Sequence, residues 1–197
     1  MQMVSTVFLV SLMALTLVLV IVVVLLLVRS SVLLRQSQTD KLTGLWNRHF
    51  LEMYLPKSVS GAERHSQGLA IIMLDLDGFK QLNDTQGHLT GDVALRDISL
   101  AITSNLRASD IVVRYGGDEF VIIVSSLAGE AWQAARKVCL VIEKLDGVCG
   151  GITASIGVAC YPRLKTAREL LEAADTAMYQ AKAKGGNEVV IWGEEVC

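Results

Sequence analysis

One uncharged apolar run near the start of the chain restricts its possible folds more than any other feature. Met3–Val28 contains 26 residues, four of them Ser or Thr and the other 22 hydrophobic, with no Asp, Glu, Lys or Arg. As a helix it would reach about 39 Å, more than the ~30 Å hydrocarbon core of a bilayer. It lacks the basic start and the small-residue cleavage site of a signal peptide. The run therefore predicts an uncleaved transmembrane helix over residues 3–28.

The charges that flank this run predict its orientation. Arg29, Arg35 and Lys41 follow it, whereas no basic residue precedes it. Because basic residues are retained on the cytoplasmic side, we expect a single-pass protein of the inner (cytoplasmic) membrane, with its globular part in the cytoplasm and little chain outside. The polar segment 29–39 is a connector, which either continues the membrane helix or is a plain linker.

Composition restricts the rest of the chain to one domain over residues 40–197. The whole chain is 52% hydrophobic, and removing the apolar run leaves an ordinary globular composition of single-domain length. The net charge of −2, from 18 basic and 20 acidic residues, argues against a protein that coats polymeric nucleic acid. The four cysteines lack metal-site spacing and are predicted to be reduced packing residues: Cys139, Cys149, Cys160 and Cys197.

Hydrophobic periodicity predicts alternating strands and helices in this domain. Leu69–Asp77 is an unbroken apolar run typical of a buried strand, and two further runs flanking Gly116-Gly117-Asp118 indicate a hairpin. The other predicted elements are helices at 47–59, 91–106, 128–145 and 166–184, and strands at 152–159 and 188–192. This order predicts an α+β fold in which helices pack on a largely antiparallel sheet.

Acidic side chains stand at the ends of two predicted strands. Asp75 and Asp77 end the first strand, and Asp118 and Glu119 lie at the hairpin tip. If these strands are neighbours, the carboxylates converge, and a cation is then needed to balance their charge. Oxygen ligands favour Mg²⁺ or Mn²⁺. Each acidic pair taken alone has an ordinary interpretation as a solvated turn, so only their combination indicates a site.

Several motifs in fixed order resemble one known family. The chain contains Asp40–Arg48 (DKLTGLWNR), Asp75–Lys80 (DLDGFK), Tyr115–Phe120 (YGGDEF), Ser155–Ala159 (SIGVA) and Asp175–Lys182 (DTAMYQAK). Between them lie Asn83-Asp84, Gly87-His88 and Gly91-Asp92. This sequence is similar to the GGDEF family of diguanylate cyclases. The resemblance implies a palm-like sheet related to nucleotidyl cyclases and condensation of two GTP molecules into cyclic di-GMP.

The resemblance also implies roles for individual residues. Asp75, the backbone carbonyl of Leu76, and Asp118 would hold Mg²⁺ or Mn²⁺, and Asp118 would help to deprotonate the 3′-hydroxyl. Lys80 would stabilise the transition-state phosphate, and Lys182 would contact the triphosphate. Asn83 and Asp92 would recognise guanine, which presents paired donors that adenine lacks. Independently of the resemblance, Gly116 and Gly117 allow a phosphate to approach the backbone.

Assembly and inhibition follow from the same resemblance. A domain that binds one GTP needs a second copy, so the family works as a homodimer with the reaction at its interface. Arg107 and Asp110 form an RxxD motif at the position of the family's product-binding inhibitory site. On the residues alone, an RxxD motif at a helix end is most often a local salt bridge.

One position departs from the family pattern. The family has a glycine-arginine-asparagine run after the helix that carries Lys182, whereas this chain has Gly185-Gly186-Asn187. Gly186 therefore replaces an arginine that grips the triphosphate, and Lys184 is the candidate to compensate for it. This departure favours an alternative function, a catalytically weak protein that senses GTP or cyclic di-GMP.

Overall fold

The computed structural model of the protein describes residues 13, 15–26, 29, 38–125 and 128–193. The chain divides into two compact units, Met1–Gln38 and Thr39–Cys197. In the first unit, residues 15–26 are helical and exposed. The predicted membrane span over residues 3–28 and the connector over 29–39 fall partly or largely outside the described residues. Among the residues that are described, no helix has both the length and the apolar character required to cross a membrane.

The second unit alternates strands and helices. The strands are β1 (Trp46–Asn47), β2 (Leu69–Asp77), β3 (Ile111–Arg114), β4 (Glu119–Val124), β5 (Thr153–Tyr161) and β6 (Val189–Ile191). The helices are α1 (Arg48–His65), α2 (Phe79–Gln86), α3 (His88–Ser104), α4 (Ala128–Glu143) and α5 (Ala167–Ala183), with a 3-10 turn at Gly147–Cys149. The α+β class predicted from the sequence is confirmed, and β1 and α2 are additions to the predicted order.

The strands form one six-stranded sheet in the order β1-β3-β4-β2-β5-β6. The four central strands pair antiparallel, whereas β1 pairs parallel with β3 and β6 pairs parallel with β5. The prediction of a largely antiparallel sheet therefore holds for the centre and not for the edges. The register places Asp75 opposite Glu119 on β4 and opposite Ser155 on β5. The two acidic strand ends are thus neighbours, as their interpretation as one site requires.

The central strand β2 is buried on both faces, which explains its unbroken apolar sequence. Side chains alternate along a strand, so Ile72 and Leu74 pack in the cluster that contains α3 and α4. Ile71 and Met73 pack in the second cluster, which contains α1 and α5. Asp75 follows in the same alternation and lies on the α1 and α5 side of the sheet. The odd-numbered positions of β2 thereby direct its acidic end towards α5.

Local capping sets the start of two helices. The Asn47 side chain accepts a hydrogen bond from the Phe50 backbone N–H at 3.1 Å and begins α1. Thr166 and Glu169 form a reciprocal capping box at the start of α5. Helix α1 continues six residues past its predicted end at Val59, because Ala62 is buried against the core.

Helix α3 begins at His88 rather than at the predicted Gly91. Gly87, with a φ of +85°, separates α3 from the short helix α2. Among the described residues no cysteine forms a disulfide; Cys139 and Cys149 are buried and Cys160 is half-buried. Cys197 lies outside the described residues.

Candidate active site

The end of β2 and the β3–β4 hairpin meet at one end of the sheet. The Leu76 backbone N–H donates to the Asp118 carbonyl oxygen at 3.3 Å, so the hairpin tip lies directly beside the β2 end. Two backbone N–H groups, from Tyr115 and Gly116, donate to the Glu119 carbonyl at 2.8 and 3.2 Å and close the turn. The structure therefore brings together the acidic residues that the sequence places on separate strands.

Asp75 is the most buried carboxylate of this group. It is only 8% exposed, and its Oδ1 lies 2.7 Å from Lys182 Nζ on the last turn of α5. Burial raises the pKa of Asp75, the Lys182 ammonium opposes that rise, and the Asp118 charge adds to it. The net pKa lies above the ordinary aspartate value because desolvation outweighs a single, partly exposed cation. The site is therefore short of positive charge.

The Glu119 carboxylate in the same group also has a raised pKa. Burial raises the pKa of Glu119, and the negative charges of Asp75, Asp118 and Asp175 raise it further. Among the described residues, no group of three or more His, Cys, Asp or Glu side chains is arranged as a complete metal site. The donor set expected from the sequence consists of the Asp75 and Asp118 carboxylates and the Leu76 carbonyl. Such a set suits a hard cation that also binds water and phosphate oxygen.

The Arg114 side chain holds the β3–β4 hairpin turn in place through hydrogen bonds. Its Nη2 and Nε donate to the Gly117 carbonyl at 2.7 and 3.2 Å, and its Nη1 lies 3.1 Å from Asp40 Oδ1. Burial raises the pKa of Asp40, but hydrogen bonds from Thr43 and Arg114 outweigh it, and the net pKa is lowered. The first motif of the domain is thus joined to the β3–β4 hairpin through a half-buried ion pair.

Sequence reasoning did not single out Arg114. The signal available was an arginine directly before the hairpin, a position from which a guanidinium can reach the carbonyls of the turn. Its partner Asp40 begins the DKLTGLWNR motif, but their pairing depends on the fold, since 74 residues separate them.

Two adjoining pockets open at this end of the sheet. One has a volume of about 440 Å³ and is lined by the β2 end, Lys182 and the loop Gly185-Gly186. The other has a volume of about 530 Å³ and is lined by residues that include Asn83, Asp92 and Arg114. Phe79, Lys80 and Asp118 line both. The residues expected to contact phosphate and those expected to contact guanine therefore line neighbouring pockets.

A glycine positions Asn83 in the second pocket. A Cβ at Gly91 would overlap the Asn83 Oδ1 atom, would lie 3.0 Å from Asn83 Cγ, and would lie 3.2 Å from Phe79 Cζ. Glycine at this buried position of α3 is what lets the Asn83 side chain pack against the helix. The sequence motif Gly91-Asp92 thus combines a spacing residue with a candidate base-recognising residue.

The RxxD motif lies elsewhere, after α3. The Asp110 carboxylate accepts from the Arg107 backbone N–H at 3.0 Å, and the Arg107 Nη1 lies 3.4 Å from Glu130 Oε2 on α4. Both side chains of that ion pair are more than half exposed, so the pair contributes little to stability. Arg107 and Asp110 line a pocket of about 320 Å³ between the α3 end and α4.

Comparison with known proteins agrees with this architecture. The family described as "Diguanylate cyclase, GGDEF domain" matches residues 37–188. Diguanylate cyclase DosC of Escherichia coli K12 is 38% identical over 159 residues, which cover 78% of this chain and 35% of DosC. Diguanylate cyclase DgcS of Shewanella oneidensis is 39% identical over 157 residues, covering 77% of this chain and 52% of DgcS. The chain thus spans only about a third to a half of these relatives.

Solved structures extend the comparison to the fold. The GGDEF domain of TpbB from Pseudomonas aeruginosa matches with a TM-score of 0.74 and 36% identity, covering 78% of this chain and 94% of that one. The coiled coil and GGDEF domain of DgcB from Caulobacter crescentus, solved with c-di-GMP, matches with a TM-score of 0.79 and 28% identity, covering 86% and 93%.

The fold and the site together define an α+β domain that has a six-stranded sheet, packed helices, and carboxylates and lysines around two adjoining pockets. This chain belongs to the GGDEF domain family of diguanylate cyclases.

Proposed function

We propose that this protein is a diguanylate cyclase that condenses two GTP molecules into cyclic di-GMP and two pyrophosphates. One observation carries the proposal: Asp75 lines the pocket that contains Lys182, and the neighbouring Asp118 lines both this pocket and the adjoining one, which contains Asn83 and Asp92. The relatives that are named diguanylate cyclases support the same activity.

The donor set fits a divalent cation. Burial, and then the negative charges of neighbouring carboxylates, raise the pKa values of Asp75 and Glu119, and a cation beside them would oppose both effects. Asp75, Asp118 and the Leu76 carbonyl would hold Mg²⁺ or Mn²⁺, with phosphate oxygens as further ligands. When bound, the ion supplies charge neutralisation at the transferred phosphate.

The protein's own residues have distinct tasks in this reaction. In each condensation the 3′-oxygen of one GTP forms a bond to the α-phosphorus of the other, and the bond from that phosphorus to the pyrophosphate oxygen breaks. Asp118 accepts the hydroxyl proton, and Lys80 and Lys182 offset negative charge on the phosphates. Asn83 and Asp92 hold guanine through its N–H donors.

The reaction requires two substrates held face to face, so the active form is a homodimer. The apolar run over residues 3–28 anchors each copy in the membrane, with the catalytic domain on the cytoplasmic side, and this shared anchoring raises the local concentration of domains. Crosslinking the full chain and a variant that starts at Gln38 tests the anchor. Equal dimerisation of the two at the same concentration would contradict its role.

The activity is tested by incubating the full chain with GTP and Mg²⁺ and identifying the product by mass spectrometry. Cyclic di-GMP and pyrophosphate are the expected products. GTP binding without any cyclic di-GMP, even at high protein concentration, would favour the alternative of a nucleotide-sensing protein. Gly186, in place of the family's arginine, is the feature that favours this alternative.

Product inhibition is a further part of the proposal. Arg107 and Asp110 border a pocket and present a guanidinium and a carboxylate suited to guanine and phosphate. We expect Arg107→Ala to abolish inhibition by added cyclic di-GMP while leaving the initial rate within about twofold, because its ion pair is exposed. Initial rates at increasing product concentration provide the measurement, and unchanged inhibition in the variant would contradict the assignment.

The pH dependence of the reaction follows from Asp75. Its pKa is raised, so protonation begins at a higher pH than for an ordinary aspartate and removes the charge that the site needs. We expect kcat/KM to fall on acidification, with a midpoint above the usual aspartate range of ~4. A rate profile between pH 4.5 and 8 at subsaturating Mg²⁺ measures it, because a bound cation opposes protonation of Asp75. A flat profile down to pH 4.5 would contradict this prediction.

A substitution at Gly91 tests whether Asn83 contributes to GTP binding. In Gly91→Ala the new methyl group displaces the half-buried Asn83 side chain and requires Phe79 to shift slightly, so we expect about a tenfold higher KM for GTP and a stability loss of about 1–3 kcal/mol. Gly129→Ala is the matched control, because a Cβ at Gly129 meets no atom within 4 Å. Steady-state kinetics of the two variants give the comparison, and equal KM values would exclude Asn83 from substrate binding.

A further inference from the structure

Asp77 is the second acid of the DLD motif, yet its carboxylate is directed into the protein's own hydrogen bonds. Its Oδ1 accepts from Ser155 Oγ at 2.7 Å. Its Oδ2 accepts from Thr153 Oγ1 at 2.9 Å and from the Asn187 backbone N–H at 3.0 Å. A carboxylate has about four acceptor sites, so three short bonds leave it little capacity to bind a cation.

The third of these bonds joins β2 to the loop after α5. In that loop Gly185, Gly186 and Asn187 have φ values of +111°, +79° and +51°, three successive residues in the left-handed region. Asn187 is the only one with a side chain, and asparagine is among the non-glycine residues that adopt this conformation most readily. Its Nδ2 donates to Glu143 Oε1 at 2.9 Å, and its Oδ1 accepts from Cys139 Sγ at 3.3 Å. The surrounding hydrogen bonds hold the loop in this conformation.

The loop passes directly over the Asp77 carboxylate. A Cβ at Gly186 would lie between 2.9 and 3.2 Å from the carboxylate atoms, so this close approach depends on glycine. The same loop lines the 440 Å³ pocket beside Lys182 and Asp75. Two N–H groups of the loop, at Gly185 and Gly186, bond back to the last turn of α5. The position of the loop is therefore linked to the end of the helix that carries Lys182.

We propose that Asp77 is a positioning residue, which anchors the Gly185–Asn187 loop to the sheet and thereby shapes the phosphate-side wall of the pocket. It acts through its hydrogen bonds and not as a cation ligand. Ser155 belongs to the SIGVA motif and is fully buried, so the proposal also gives that motif a task, which is to orient the Asp77 carboxylate. The expected effect of Asp77 on GTP binding rests on the proposed function. The anchoring of the loop by Asp77 does not depend on that function.

Two variants of Asp77 distinguish a role in anchoring the loop from a role as a cation ligand. Asn at this position keeps an oxygen for Thr153 and the Asn187 N–H, and its amide donates to the Ser155 hydroxyl oxygen. Asp77→Asn is therefore expected to retain kcat and KM within about threefold and to show an unchanged Mg²⁺ requirement. Asp77→Ala removes all three bonds and is expected to raise the KM for GTP about tenfold, with a much smaller change in kcat.

Hydrogen exchange measures the anchor without reference to activity. We expect exchange of the Asn187 amide to accelerate at least about tenfold in Asp77→Ala and to stay near the wild-type rate in Asp77→Asn. Should Asp77→Ala not fold, Thr153→Val removes one donor at nearly constant volume, and it is expected to give smaller changes of the same kind. Asp97→Asn, on the exposed face of α3, is the control for a general loss of one carboxylate.

The outcomes are distinguishable. Loss of activity in Asp77→Asn with a shifted Mg²⁺ requirement would identify Asp77 as a cation ligand and overturn the proposal. Unchanged Asn187 exchange in both Asp77→Ala and Thr153→Val would overturn it as well. If the wild-type chain makes no cyclic di-GMP, the proposed function fails, whereas the exchange measurement still decides whether Asp77 anchors the loop.

Discussion

Gly157→Ala is expected to destabilise the domain by about 4 kcal/mol or more, enough to prevent folding of a domain of ordinary stability. Gly157 lies on β5 where α5 crosses it. A Cβ there would overlap the Ala174 carbonyl oxygen and the Met178 backbone nitrogen, and would lie 2.9 Å from the Ala177 carbonyl carbon. All three atoms belong to helix backbone, so rotation of a side chain relieves none of the overlap. The extra methyl group must therefore move the whole helix.

Urea denaturation of the full chain, followed by circular dichroism, measures this effect. Gly61→Ala is the matched control, because Gly61 lies inside α1 and a Cβ there meets no atom within 4 Å. That change is expected to be neutral or to stabilise by up to about 1 kcal/mol, since alanine is the better helix former. A Gly157→Ala protein as stable as the control would mean that α5 does not approach β5 this closely.

Asp75→Asn is expected to abolish cyclic di-GMP synthesis, by roughly 10³-fold or more, while leaving the domain folded. The variant removes a negative charge from the site and leaves the volume of the side chain unchanged. Lys182 loses its 2.7 Å partner, but its side chain is partly exposed and is hydrated instead. Asp97→Asn, on the exposed side of α3, is the matched carboxylate-to-amide control and is expected to retain full activity.

The pKa of Asp75 also determines how the stability of this variant depends on pH. A carboxyl with a raised pKa in the folded state costs stability when it is ionised, and this cost is relieved as the pH falls through the raised value. Asp75→Asn is therefore expected to equal or exceed the wild type in stability at pH 7, with the difference shrinking towards lower pH. Thermal melts at pH 7 and pH 4.5 measure this. A variant much less stable at pH 7 would indicate that the Asp75–Lys182 pair stabilises the fold.

Elements with a strong local pattern could be predicted from the sequence. Strand β2 has the predicted bounds, Leu69–Asp77, and β4 has the predicted bounds, Glu119–Val124. Helix α5 begins and ends within one residue of its prediction, because a capping box starts it and glycines follow it. Helix α2 was not predicted, since its eight residues contain only two buried side chains, Phe79 and Leu82. A hydrophobic pattern that short cannot be distinguished from the pattern of a polar loop.

Part of the candidate site could likewise be predicted from the sequence, and part could not. Acidic residues at the predicted strand ends indicated Asp75 and Asp118, and the resemblance of short motifs gave roles to these and to Lys80, Asn83 and Asp92; the structure gathers them around two adjoining pockets. Their catalytic and binding roles stay predictions. The ion pair of Arg114 with Asp40 and the hydrogen bonds of Asp77 were not predictable from the sequence, because each joins segments that lie far apart along the chain.

The sequence by itself determined the α+β class, the buried central strand, the acidic strand ends and the family. Those features are encoded in local periodicity, in turn residues and in short motifs. Only the tertiary structure decided which carboxylate faces Lys182 and which one is used to hold a loop. Asp75 and Asp77 are two residues apart on one face of β2, and the neighbouring elements differ at each position. Asp75 meets a lysine at the end of α5, whereas Asp77 meets two hydroxyls and a backbone N–H. Strand register and helix packing, which bring distant residues together, thus assign different tasks to identical side chains.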